Sequence, residues 1–188
     1  MGFRFRILAR SGGWWVRSQQ RLFHPLGREL TSDERGGLAG FYSESLLSRV
    51  RIHRLEPGTE PLWRRATSLG LMIPFDLQRM AAITLDATIV LARGAPSNGL
   101  LWSRLLFHEL VHVVQYSLLG VDEFVRRYVT GWARNGFRYH RIPLERDAWE
   151  LEHRFVANPV LGFPVQMEVE RQLGNWKSSI LAASRLAP

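Results

Sequence analysis

The chain has 188 residues and no Cys, which excludes disulfides and thiolate metal sites; any zinc must be held by imidazole and carboxylate. That length and an apolar content of 46% suit one domain over 1–188 with its own hydrophobic core. The formal net charge of +8 raises the question of an anionic partner. All the basic residues except Lys177 are Arg, however, and they are scattered along the chain. A GC-rich genome produces such an excess, so no specific nucleic-acid partner is expected.

Residues 1–30 hold Gly12-Gly13 and Pro25 and show no clear period, which predicts an irregular N-terminal arm with room for one short helix. The first ten residues are basic but lack the continuous apolar core of a signal peptide, and no run has the length of a membrane span. The default expectation is therefore a cytoplasmic protein, with export by another route left open. Trp14-Trp15-Val16 between Arg10 and Arg17 could touch a membrane interface, although packing on the domain is the commoner use of such aromatics.

Thr31 and Glu34 form a capping box for a helix running to about Leu47, which should bury Leu38, Phe41, Tyr42 and Leu46. Alternation over 49–53 predicts a half-buried strand with His53 on its exposed side. Pro57-Gly58-Thr59 marks a turn, and a short helix should pass through Trp63 and Leu69 and end at Gly70. The runs 82–85 and 88–91 flank Asp86-Ala87 and read as a hairpin.

A helix follows the turn at Pro96-Ser97-Asn98-Gly99 and should stop at Gly120. It contains His108-Glu109-Leu110-Val111-His112, the His-Glu-x-x-His pattern of zinc peptidases. Residues four apart share a helix face, so His108 and His112 can offer two imidazoles to one ion. Glu109 lies on the flank, where it can take a proton from water held by the metal. Arg104, His108, His112 and Gln115 form a polar stripe on a helix that is otherwise apolar nearly all round. Such a helix is buried, and polar groups on it need partners.

Asp122 should cap a helix over 123–133 that ends at Asn135-Gly136. After a loop or short strand at 137–141, Pro143 opens a helix to about Ala157, and a last helical stretch covers 165–173 and 178–186. A catalytic zinc site takes three protein ligands, so a His, Asp or Glu must join the pair. Glu145, in the first turn of the Pro143 helix with small Ala148 one turn on, is the candidate. Asp147, Glu150, Glu152 and His153 are rivals, with Glu150 and Glu152 read as solvated charges.

The segments His108-Glu109-Leu110-Val111-His112-Val113-Val114-Gln115 and Pro143-Leu144-Glu145-Arg146-Asp147-Ala148-Trp149 together resemble small bacterial zincin-like proteins. These carry a HELxHxxQ helix followed by a PLExxAY-type helix, and some are linked to contractile injection systems. The resemblance covers about 82–155. It implies an α+β zincin-like fold, with a small twisted sheet of three or four strands, a central His-Glu-x-x-His helix and a mainly helical remainder. It further implies a gluzincin site with Zn2+ on His108, His112 and Glu145, Glu109 as general base, and Gln115 orienting a neighbour. Trp149 stands where Tyr is more usual and is expected to pack. The strand before the metal helix, 88–91 or its hairpin partner, would be an edge able to receive an extended peptide. Metallopeptidases generally add a His, Tyr or Arg beside the metal, for which Tyr139 and His140 are the candidates.

The expected function is zinc-dependent hydrolysis of a peptide or protein substrate. The alternatives are a catalytically inactive metal-binding zincin scaffold with an assembly role, and a basic module for nucleic acid or a membrane surface.

Overall fold

The computed structural model of the protein describes residues 3–56 and 80–174, with side chains from residue 11 onward. The turn at Pro57-Gly58-Thr59, the helix through Trp63 and Leu69 and the helical stretch over 178–186 lie outside the described residues. What is described is α+β and mostly helical.

The first 23 residues depart from expectation. Instead of an irregular arm they contain a 21-residue helix, α1 (Phe3–Phe23). Gly12 and Gly13 do not break it; they let it lie close against another helix. A Cβ at Gly12 would sit 2.8 Å from Val125 Cγ1, and one at Gly13 would overlap the Asp122 carboxylate. Arg17 donates to that carboxylate through two bonds of 2.8 and 2.7 Å. Val16 is buried while Trp14 is exposed.

The capping box at Thr31 forms as expected and opens α2 (Ser32–Leu38). The helix does not reach Leu47. Gly40 takes φ +85, a left-handed value favoured by glycine, and Ser43 caps a separate turn, α3 (Glu44–Leu47). In the break the Phe41 carbonyl accepts from Val165 N at 3.0 Å, a bond unavailable to a continuous helix. Leu38, Phe41, Tyr42 and Leu46 are buried regardless.

Three strands, β1 (Arg51–Arg54), β2 (Ala82–Leu85) and β3 (Thr88–Leu91), form a mixed sheet in the order β1-β3-β2. The hairpin turns at Asp86, whose φ of 58 is one that Asp tolerates. It sets Ala82 opposite Leu91, while β1 runs parallel to β3 with Arg51 opposite Thr88. β3 is thus central, and of the two places expected for an edge it is the hairpin partner β2, not 88–91, that occupies it. Among the described residues β2 is the free edge, since Arg28 covers β1 by exchanging bonds with Ile52. His53 is half-buried and stacks on Phe23.

The hairpin leads into α4 (Gly99–Arg134), which has non-helical backbone at Gly120 (φ 71, ψ 161). Gly120 ends the first half, as expected, but the second half starts at once. Phe107, Leu110, Val111 and Val114 are fully buried at the centre of the core. After a single 3-10 turn at Tyr139–Arg141, α5 (Pro143–Ala157) returns along α4, and α6 covers 165–174. No described helix is long and apolar enough to cross a membrane.

Candidate metal centre

Close packing between α4 and α5 puts the candidate ligands together. Gly131 in the second half of α4 admits Pro143, whose Cδ would lie 2.7 Å from a Cβ added there. One turn after Glu145, Ala148 is fully buried, so the start of α5 meets the His face of α4. His108, His112 and Glu145 are all buried, and one ligand atom from each lies within 4.8 Å of the others. The Nε2 atoms of His108 and His112 are 3.3 and 3.4 Å from the same oxygen, Glu145 Oε2.

Both imidazoles are oriented from behind. Gln115 donates from Nε2 to the Leu144 carbonyl at 3.0 Å, which turns its Oε1 toward His112 Nδ1 at 2.8 Å. Since an amide oxygen only accepts, Nδ1 of His112 must carry the proton. Glu152 Oε2 lies 3.1 Å from His108 Nδ1 and imposes the same tautomer. With both Nδ1 atoms protonated, the Nε2 atoms face Glu145: they donate to it when the rings are charged and would offer lone pairs to a metal when the rings are neutral. That donor set, two imidazoles and a carboxylate with second partners in place, fits a zinc ion.

The charge pattern agrees. Burial alone would push the Glu145 carboxyl up, but the charge of His112 and bonds from both His hold it well below the usual carboxylate range. Burial opposes a charge on His108, yet Glu145, Glu152 and Glu109 outweigh it and raise its pKa to about 10. His112 is raised as well, against burial, chiefly by the charge of Glu145. Without a metal, protons hold this cluster together.

Glu109 is buried, and its Oε2 accepts from Thr84 Oγ1 on β2 at 2.6 Å. Two phenols reach Glu145: Tyr128 donates to Oε1 at 2.5 Å and Tyr139 to Oε2 at 2.8 Å. Tyr139 stands at the rim, 36% exposed, with its hydroxyl directed at the cluster. His140 is exposed and is not brought to the cluster. Trp149 packs in the wall, its ring 6.2 Å from His108 and 5.7 Å from Tyr139.

Glu152 is the clearest departure from the sequence reading. It is not a solvated charge but is 7% exposed, bonded to His108 and clamped by Arg104 at 2.9 and 2.7 Å. Its position two helical turns after Glu145 was the available signal, because i and i+7 share a face. Arg104 belonged to the polar stripe, and its partner is Glu152. Thr84 and Tyr128 carried no local signal.

Comparison with protein families, curated proteins and solved structures returned no match to this chain.

Proposed function

We propose that the protein is a zinc-dependent peptidase of zincin type, with the metal on His108, His112 and Glu145. The observation that carries this reading is the convergence of both Nε2 atoms on Glu145 Oε2, beside a cavity that Glu109 also lines. A zinc ion bound there would act as a Lewis acid and lower the pKa of a water toward neutrality.

The chain's own groups supply the rest. Thr84 engages Oε2 of Glu109, which leaves Oε1 to accept the proton of the attacking water and return it to the leaving amine. Burial and the Glu145 charge push the Tyr139 hydroxyl well above its ordinary range. It therefore keeps its proton and can donate to the substrate carbonyl oxygen as negative charge develops there. Ala81 and Ala82 line the cavity at the edge strand β2, which is unpaired on its outer side among the described residues, where an extended substrate could add as a strand.

The test is turnover of an unstructured protein by zinc-loaded enzyme, with and without a chelator, alongside Glu109→Gln. We expect chelator-sensitive cleavage by the parent, and a variant that retains zinc without cleaving. Zinc retention with no cleavage by the parent would favour a non-catalytic scaffold.

A further inference from the structure

Next to the metal centre is a cavity of about 820 Å3, within the range of pockets that take small ligands. His108 and Glu109 are part of its lining, so whatever fills it lies beside the reacting groups. Its other walls include Leu101, Leu105, Trp132, Phe137 and Trp149. Trp132 and Phe137 meet edge to face with centroids 4.6 Å apart, and Trp149 carries the aromatic wall to His108. Leu101 and Phe137 are 66% and 58% exposed, an apolar surface held open to water.

Among the described residues, each charged group in the lining already has a hydrogen-bond partner. Arg104 and Glu152 bind each other, and Glu109 is held by Thr84. An acidic side chain entering the cavity would lose water and find its cation, Arg104, already paired with Glu152, and a basic one could pair only with the Glu109 oxygen that the attacking water needs. An apolar one would cover the exposed rings and Leu101 instead.

Resting on the peptidase reading, we infer that this cavity selects a bulky apolar side chain, aromatic or leucine-like, on a residue adjoining the scissile bond. Entry of that side chain removes water from the space next to Glu109. The substrate class is then peptides or unfolded segments with an exposed hydrophobic residue at the cut, not acidic or basic motifs.

The test uses dipeptides that end in a hydroxamate and differ only in the side chain beside it: Phe, Leu, Gly, Asp or Lys. Each is titrated by calorimetry into the full chain loaded with zinc, which reads binding without catalysis. Phe and Leu probes should bind roughly ten- to a hundredfold more tightly than Gly, with Asp and Lys no better than Gly. In Leu101→Asp, a change at an exposed position compatible with folding, the Phe probe should weaken and the Lys probe gain. Equal affinity across the series, a preference for Asp or Lys, or an unchanged order in Leu101→Asp would overturn the inference while leaving the metal centre intact. Failure of every probe to bind would overturn the metal centre, and this inference with it.

Discussion

Thr84 Oγ1 donates to Oε2 of Glu109 at 2.6 Å and lies 3.2 Å from the Glu109 carbonyl, tying the edge strand to the helix that bears the His pair. Both side chains are buried, so the carboxylate is held in one orientation. Thr84→Val should lower kcat roughly ten- to a hundredfold, the usual effect of losing a hydrogen bond to a charged group. KM and zinc content should stay unchanged. Thr84→Ser should recover most of the loss, and Thr84→Val should add nothing in a Glu109→Gln background. Steady-state kinetics of the parent, the three single variants and the double variant checks this; additive losses would show that Thr84 does not act through Glu109.

Glu152 should matter to the metal although it is not a ligand. Its removal frees His108 Nδ1 and leaves Arg104 without its carboxylate. Glu152→Ala is expected to weaken zinc about 10- to 100-fold, the ordinary effect of losing a group that orients a metal-binding His. Exposed Glu150, changed to Ala, should leave affinity as it was. Competition with a fluorescent zinc chelator measures both.

A metal at this cluster would compete with protons for the same atoms. His108 has its pKa raised from 6.5 to about 10, so it holds a proton through the neutral range. Zinc requires the neutral ring, and its binding at pH 7 should release about one to two protons, making affinity fall as pH falls. Calorimetry in buffers of different ionisation heat reads the number, and no release would contradict the charge pattern. In the metal-free protein the raised His108 stabilises the fold fully below pH 6.5 and loses that contribution as pH rises through about 10. The depressed Glu145 contributes above its ordinary 4.5 and loses its contribution as pH falls below that value. Thermal unfolding without metal should therefore be most resistant between about pH 4.5 and 6.5.

The parts legible in the sequence were those governed by local chemistry. The Thr31–Glu34 box, the Asp86-Ala87 hairpin, the glycine at 120 and the start of α5 at Pro143 are set by caps, turns and φ preferences within a few residues. The pairing of His108 with His112 follows from helix geometry alone. Long-range contacts were hidden. Gly12-Gly13 reads as a break in sequence but serves the approach of α1 to α4, and only the partner helix reveals that. The split between α2 and α3 at Gly40 is also braced by a bond from Val165, more than a hundred residues away. Glu152 looks like a surface charge until Arg104 and His108 are placed around it, and the link from Thr84 to Glu109 spans two elements.

The central claim is that one ion is held by His108, His112 and Glu145, and a crystal structure of the protein grown with zinc tests it most directly. One ion should lie about 2.0–2.2 Å from Nε2 of each His and from a Glu145 oxygen. Glu152 and Gln115 should remain on the two Nδ1 atoms, and Glu145→Ala crystals soaked alike should lose the ion or hold it at low occupancy. An ion bound elsewhere, or one on the two His with Glu145 turned away, would contradict the claim.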